Sequence, residues 1–503
     1  MKASLNICLS AAILSPLGFF TSCGAESDFC NNQNLLLQKQ KGPIVTTTIS
    51  EGQQFYVGAD LSYTNELEDT GVRYMENGKE KDIFTLVKEY GANMIRLRLW
   101  HNPTWTNYSN YNDVKKSAKR IKSSGMSILL DLHYSDSWTD PEKNLIPAAW
   151  KPIVNNLTAL SDSVYNYTYS TLVAMKRASI LPTAIQIGNE TNNNILVSDN
   201  SQLLPLDVER NVKIFNAGIK AVKDFNLNYN KNIKTVLHIA MSNTDVLNWV
   251  SNVKSHGILN FDIIGVSYYP QWQFYTPVEL GTLASTIYNT YGIRLMVAET
   301  GHIWTRGWND QCHNLMSNMA PGYPETPCPQ LQKDFLIEVK NAVKNNHGYA
   351  VLAWEPGWVS STNKTLWGIG SNWENVAFFD FNNRLLPHGG IEFLNDNSGL
   401  VTFSVDMTSA GANAKGYITG NFTDDGYGNW QIIPMNRVGN SNTYTFSTNL
   451  SFNQTVEYYY LSDSTWKSRE IVPESSRVIW NDRGYTVPSG TTSITLHDIW
   501  INQ

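Results

Sequence analysis

Short apolar runs alternate with amphipathic segments along the first two thirds of the chain. Residues 55–61, 93–99, 127–133, 183–188, 235–240, 262–268, 294–298 and 349–354 are the apolar runs. Most lack a strict in-out alternation, the mark of parallel strands covered on both faces. Segments 81–90, 165–178, 206–225, 278–291 and 332–345 lie between them with helical patterning. In the third of these, Val208, Val212, Phe215 and Ile219 recur at helical spacing against Glu209, Lys213, Lys220 and Lys223. Eight strand-then-helix units predict an α/β fold, a (β/α)8 TIM barrel. An open sheet would need a switch point in its strand order.

Two of the strands share one design that terminates in a glutamate. Ala184-Ile185-Gln186-Ile187-Gly188-Asn189-Glu190 closes an apolar run with an amide and an acid, and Arg294-Leu295-Met296-Val297-Ala298-Glu299-Thr300-Gly301 repeats the design. On the strand count Glu190 ends the fourth strand and Glu299 the seventh, both on the C-terminal face where active sites of this fold sit. A single Glu there reads as a helix cap or a solvated loop residue. Two on one rim are what a glycosidase needs, one to protonate the leaving oxygen and one to attack the sugar. Asp60, Arg96, Arg98, Asp131, His133, His238, Tyr268, Tyr269, Trp354 and Glu355 end other strands and converge on the same mouth. Each alone reads equally well as structural. Together, an Arg or Tyr beside Glu299 would keep it ionised, and an apolar wall with a carboxylate neighbour would raise the pKa of Glu190. Trp100, Trp138, Trp304, Trp354 and Trp367 lie at or just beyond strand ends and are expected to line an open groove.

The 503 residues suit a large catalytic domain and a smaller one, and the net charge of -6 gives no electrostatic case for nucleic acid. At the N-terminus, Met1-Lys2 precedes an apolar run to Phe20 broken by Pro16, the pattern of a signal peptide over residues 1–22. Phe20-Thr21-Ser22-Cys23 resembles a bacterial lipobox, so Cys23 is the expected lipidation site, with ordinary signal cleavage as the alternative. Residues 23–50 read as a polar tether, with Glu26 and Asp28 behind the cysteine. This loosely resembles the surface-export signal of Bacteroidetes lipoproteins. An outer-membrane or cell-surface lipoprotein is expected, touching membrane through its anchor only. Cys312 and Cys328 are the expected disulfide of an exported protein, leaving Cys30 unpaired.

Gly58-Ala59-Asp60-Leu61-Ser62, Arg96-Leu97-Arg98-Leu99-Trp100 and Asp131-Leu132-His133-Tyr134-Ser135-Asp136-Ser137-Trp138-Thr139-Asp140-Pro141 together resemble family 53 of the glycoside hydrolases. These are the arabinogalactan endo-β-1,4-galactanases. The likeness continues through Ile187-Gly188-Asn189-Glu190, Ser267-Tyr268-Tyr269-Pro270, Ala298-Glu299-Thr300-Gly301 and Trp354-Glu355-Pro356. It implies a retaining endo-hydrolase of β-1,4-galactan or type I arabinogalactan, with Glu190 as acid/base, Glu299 as nucleophile and Asn189 on the sugar 2-hydroxyl. Asp60, Arg96, His133, Asp136, Trp138, His238, Tyr268, Trp304, Trp354 and Trp367 are the further expected substrate-binding positions. The alternatives are an endo-glycosidase of the same clan on another β-glycan, and a non-catalytic surface glycan-binding lipoprotein.

Bacterial members of that family often carry calcium after the seventh strand, in an Asp-x-Asp-x-His-x-Asn run. Here the loop reads Trp308-Asn309-Asp310-Gln311-Cys312-His313-Asn314, with His313 and Asn314 as remnants and one carboxylate. Calcium prefers several hard oxygen ligands. No metal or other cofactor is therefore expected to be required, and the disulfide is preferred as the loop's staple. The barrel is expected over 51–398 and a small all-β sandwich over 399–503. Val401-Thr402-Phe403-Ser404-Val405-Asp406-Met407, Tyr417-Ile418-Thr419-Gly420-Asn421-Phe422 and Tyr458-Tyr459-Tyr460-Leu461 resemble starch-binding (family 20) carbohydrate-binding modules. Trp430, Trp466 and Trp480 could form a sugar platform or pack the sandwich. A monomer is expected.

Overall fold

The computed structural model describes residues 54–199, 203–411, 413–478 and 481–501. The signal segment, the tether, Cys23 and Trp480 lie outside the described residues. Eight parallel strands close a barrel: β1 (Tyr56–Asp60), β2 (Met94–Leu99), β3 (Ser127–Leu132), β4 (Ala184–Ile187), β5 (Lys234–Ile239), β6 (Ile263–Tyr268), β7 (Arg294–Thr300) and β8 (Ala350–Ala353). Each pairs with its sequence neighbours, and β8 closes on β1 through Tyr56 opposite Ala350. Gly58 is required where β1 pairs with β2, because a Cβ there would sit 1.7 Å from the Met94 carbonyl oxygen.

Seven of the strands lead into an α-helix. These are α1 (Ile83–Glu89), α2 (Tyr111–Ser123), α3 (Leu157–Arg177), α4 (Val208–Tyr229), α5 (Asn243–Ser255), α6 (Pro277–Tyr291) and α7 (Pro329–Lys344). The sequence reading missed α2 and α5 and started α3 late. In α2 only Val114, Ser117, Ala118 and Ile121 are buried, a narrow stripe diluted by five basic residues. The eighth unit has no α-helix. A long excursion after β8 holds a hairpin of Lys364–Thr365 and Gly368–Ile369 and ends in the 3₁₀ turn Gly390–Leu394.

Two four-stranded sheets follow. One runs Asn436–Arg437, Thr443–Ser451, Ser398–Asp406, Ser493–Ile499; the other runs Ile433–Pro434, Tyr417–Gly420, Thr455–Leu461, Arg483–Thr486. Alternate residues Val401, Phe403, Val405 and Phe446 face Ile418, Phe422, Val456 and Tyr458 across the buried middle, with Phe403 stacked on Phe422 at 5.1 Å. Among the described residues no helix is long and apolar enough to cross a membrane.

Candidate active site

Strand periodicity builds the site. Inside the barrel, Tyr56, Met94, Leu129, Ala184, Val236, Ile263, Met296 and Ala350 form one sealed apolar cluster. Stepping two residues along β2, β3, β4 and β5 keeps the side chain on that inner file, and the residues reached are Arg96, Asp131, Gln186 and His238. The barrel floor is thus apolar, and the layer above it is polar and ionised. Each charge in that layer is buried, so each must be paired.

Arg96 does the pairing. Its Nη1 donates to Asp60 Oδ2 at 2.8 Å and Glu299 Oε1 at 2.7 Å, and its Nη2 donates to Asp131 Oδ2 at 2.9 Å and Asn189 Oδ1 at 2.8 Å. Asp60 turns its other oxygen to Ser62. Asp131 also accepts from His133 Nε2 at 2.9 Å, and burial holds His133 below its ordinary pKa despite Asp131. Glu299 Oε2 accepts from the Tyr269 hydroxyl at 3.2 Å. The register of β7 slips by one residue against both neighbours around Ala298, a bulge of the kind that re-aims side chains beside active sites.

Glu190 stands just past β4 with φ 45°, in the left-handed region where a non-glycine residue is strained by about 1 kcal/mol. Local hydrogen bonds hold it there: Thr191 N–H donates to the His238 carbonyl and Asn192 N–H to that of Glu190. Its Oε1 accepts from Ser267 Oγ at 2.5 Å, and Ser267 Oγ is 3.0 Å from His238 Nε2. Burial and then the Glu299 charge push Glu190 well above the ordinary carboxyl pKa. Burial also pushes Glu299 up, to about 7, with Arg96 pulling it back. Of the pair, Glu190 holds its proton. Single ligand atoms of Glu190, Glu299 and His238 all lie within 4.8 Å of one another. Carboxyls that bring single oxygens so close are nearer the retaining arrangement, with groups about 5–5.5 Å apart, than the inverting one at roughly 6.5–9.5 Å.

A cavity of about 370 Å³ opens over the two carboxyls. Asp60, Arg96, His133, Trp138, Asn189, Trp354 and Trp367 line it as the sequence reading expects, joined by Tyr269, Trp272, Trp358 and Trp373. Trp367 sits at the turn of the hairpin after β8 and is 52% exposed. The Trp138 ring is backed by the Arg98 guanidinium at 3.9 Å.

Five expected residues are placed elsewhere. Trp100 is buried, packed edge-on to Trp138 and under the Arg98 guanidinium, and does not line the cavity. Tyr268 is buried and donates to the Tyr275 carbonyl, because the last β6 residue points outward and its neighbour Tyr269 points in. Trp304 is 0% exposed, its indole N–H on the Glu374 carbonyl and its ring packed by Phe381 and Tyr427. Asp136 accepts from the backbone of Asn102 and Ala148 and so folds loops. His238 lies beneath Glu190, fully buried, rather than in the cavity wall. Ser267 and Gln186 were not singled out; Ser267 lies in a stretch that carries the family likeness and Gln186 in the apolar run before Glu190, but a Ser or Gln at an inward strand position carries no signal of its own.

The loop after β7 departs from expectation at its cysteines. Cys312 and Cys328 are buried free thiols, and the expected disulfide is not formed. Cys312 packs toward Gly368 of the hairpin after β8, whereas Cys328 precedes α7 in the core, where burial pushes its thiol up to about 12. The loop is tied instead by Asp310, whose carboxylate accepts from the N–H groups of Cys312 at 2.9 Å, Ser371 at 2.6 Å and Ser361 at 3.3 Å. Glu374 accepts from Asn309 N–H and Ser360 Oγ–H. The Asn314 side-chain oxygen is buried without a partner, yet the carboxylates that tie this loop, Asp310 and Glu374, are already taken by protein donors. His313 turns its ring edge-on to Trp308. This arrangement does not fit a calcium cage.

The profile described as "Glycosyl hydrolase family 53" matches residues 56–390. An arabinogalactan endo-beta-1,4-galactanase of Cellvibrio japonicus is 42% identical over 68% of this chain and 92% of its own. An endo-beta-1,4-galactanase of Bacillus subtilis is 30% identical over 77% of this chain and 96% of its own. Among solved structures, the family 53 catalytic domain of Ignisphaera aggregans superposes with a TM-score of 0.61 at 30% identity, covering 69% of this chain and 98% of that one.

Proposed function

The chain belongs to glycosyl hydrolase family 53, and from that membership we propose a retaining endo-β-1,4-galactanase with Glu190 as acid/base and Glu299 as nucleophile. One observation carries the roles: the two carboxyls meet at one site, with an oxygen of each within 4.8 Å of the other. Glu299 is held by Arg96 and Tyr269, and Glu190 by the Ser267 hydroxyl, while burial and the Glu299 charge raise Glu190 well above the ordinary carboxyl pKa. Arg96 and Tyr269 stabilise Glu299 as an anion, so it attacks the anomeric carbon while the Glu190 proton passes to the leaving oxygen. A covalent glycosyl ester results. Glu190, now a carboxylate, takes a proton from the water that displaces Glu299. Asn189 donates one amide hydrogen to the Thr139 carbonyl and keeps the other for the sugar 2-hydroxyl. Trp138, Trp354, Trp367 and Trp272 offer faces for successive galactose units, which suits cleavage inside a polymer.

A reducing-sugar assay over purified β-glycans tests the substrate. Galactan should be cleaved fastest, to mixed oligosaccharides from the start; preference for a glucan or mannan, or monosaccharide alone, overturns it. No metal is required in this reading, since Asp310 already ties the loop after β7, so a chelator should leave the melting temperature unchanged. The enzyme acts as a monomer on galactan or type I arabinogalactan. It is exported and anchored through lipid on Cys23, which mass spectrometry of the N-terminal peptide tests.

The sandwich serves as a glycan-binding surface. Trp466 is 44% exposed and Trp430 is half-buried, which leaves ring faces for sugar. Affinity electrophoresis of the full chain and of Trp466→Ala and Trp430→Ala in galactan, starch and plain gels tests it. Equal mobility of all three proteins in every gel leaves a purely structural domain.

A further inference from the structure

Beneath Glu190, two side chains that do not line the cavity form a chain of hydrogen bonds with a fixed direction. His238 and Ser267 are 0% and 1% exposed. Ser267 Oγ is 2.5 Å from Glu190 Oε1 and 3.0 Å from His238 Nε2. A serine hydroxyl has one hydrogen to give. Its direction therefore depends on which ring nitrogen of His238 is protonated. The backbone N–H of Glu190 is aimed at His238 Nδ1 over 3.3 Å, while Gln186 Nε2, 3.0 Å from the same atom, spends its two hydrogens on Asp131 Oδ1 at 2.7 Å and the Gly188 carbonyl at 3.1 Å. A backbone N–H cannot rotate away, so Nδ1 accepts and Nε2 carries the hydrogen. Asn189 Oδ1 is also 3.0 Å from Nδ1 and accepts from Arg96 Nη2 at 2.8 Å; its second lone pair is open, so the fixed Glu190 N–H is what decides the tautomer. With Nε2–H donating to Oγ, the Ser267 hydrogen has one acceptor left, Glu190 Oε1.

We infer that His238 and Ser267 are positioning residues that keep the acid proton of Glu190 off Oε1 and on Oε2, the oxygen turned to the leaving group. The inference rests on Glu190 being the acid/base. In the first half-reaction the Oε2–H bond breaks, its proton joins the glycosidic oxygen, and the new carboxylate charge is met by the Ser267 hydrogen already on Oε1. In the second, water gives a proton to Oε2 as its oxygen bonds to the anomeric carbon and the ester to Glu299 breaks. No proton passes through Ser267 or His238. The relay does not move; it only decides which oxygen reacts.

The groups facing Glu190 are Glu299 on β7, Arg96 on β2, His238 on β5, Asp140 in the loop after β3 and Tyr269 beyond β6. Ser267→Ala leaves all of them in place and removes a donor that favours the ionised carboxyl, so the Glu190 pKa rises. The alkaline limb of kcat/KM should therefore move to higher pH. On galactan kcat/KM should fall about tenfold, part of the 10²–10⁴ that a positioned acid supplies. On an aryl β-galactobioside with a strongly acidic phenol the fall should be far smaller, because that leaving group needs little protonation. Nitrogen-labelled histidine NMR of the wild type should show His238 neutral with its hydrogen on Nε2.

An equal loss on both substrates, a limb that stays or moves down, or a hydrogen on Nδ1 overturns the relay. The NMR result stands even where Ser267→Ala folds poorly. Wild-type enzyme that ignores galactan but cleaves another β-glycan overturns the substrate and leaves the relay to be judged on that glycan by the same split.

Discussion

Arg96 is the one side chain whose removal would change every other group in the site. It is 1% exposed and touches Asp60, Glu299, Asp131 and Asn189 within 2.9 Å. A flexible ammonium could not reach all of them at once, whereas a planar guanidinium does so by its shape. Arg96→Met should leave three buried carboxyls without their cation, and breaking such a network costs roughly 3–5 kcal/mol. Urea unfolding should show that loss, and Glu299 should titrate higher still. The catalytic pH profile follows from the same pair of carboxyls. Glu299 must be ionised, and with its pKa raised to about 7 the acid limb should lie above the range of a solvated glutamate. Glu190 must be protonated, so its raised pKa carries the activity to the alkaline side. Glu299→Ala should abolish turnover on every substrate. Glu190→Ala, assayed with an activated aryl galactoside and rescued in part by azide, should lose the alkaline limb and keep the acid one. A profile that keeps both limbs would reverse the assignment.

What the strand pattern could and could not foretell divides along the elements. All eight strands were readable, because each is an apolar run leading to a polar rim residue, and that count put Glu190 and Glu299 at the rim ends of β4 and β7. Tyr268 and Tyr269 show the limit. They are adjacent and chemically alike, and only the phase of β6 against the bulged β7 decides which reaches Glu299. Trp304 and Trp367 show another. Both follow strand ends, but one is sealed by Phe381 and Tyr427 while the other rides a hairpin turn over the cavity. Loop geometry of that kind has no periodic signature. The hairpin position predicts that Trp367→Ala weakens substrate binding without touching the chemistry. A lost stacking contact of about 1 kcal/mol corresponds to a roughly fivefold rise in KM for long galactan, with kcat held. A fall in kcat at constant KM would place the ring nearer the reacting sugar.

The join between barrel and sandwich was not readable at all, and the cause is α7. Gln330, Gln332, Lys333, Asp334 and Lys340 give that helix a polar face that reads as solvated, yet all five are buried. Barrel strands cover one side, and the strand Thr443–Ser451 covers part of the other. Asp334 accepts from Thr448 Oγ1 at 2.6 Å and Asn449 N–H at 2.7 Å, Gln330 Nε2 donates to the Asn449 carbonyl at 2.7 Å, and Glu392 bridges Lys333 and Ser451. Gly426 of the sandwich comes up against Trp304, Leu386 and Pro329. Polar groups so placed are satisfied only while both partners are present. Deleting residues 398–503 should therefore destabilise the barrel, not merely release a tethered module. The truncated enzyme should melt several degrees below the full chain, with hydrogen exchange in α7 and around Trp304 accelerated first. Asp334→Ala in the full chain should reproduce part of that loss, about 1–3 kcal/mol for the donors left unpaired on Thr448 and Asn449. Calorimetry that finds two independent transitions, the barrel's unchanged by truncation, would mean that the interface contributes no stability and that the sandwich is carried as a separate unit.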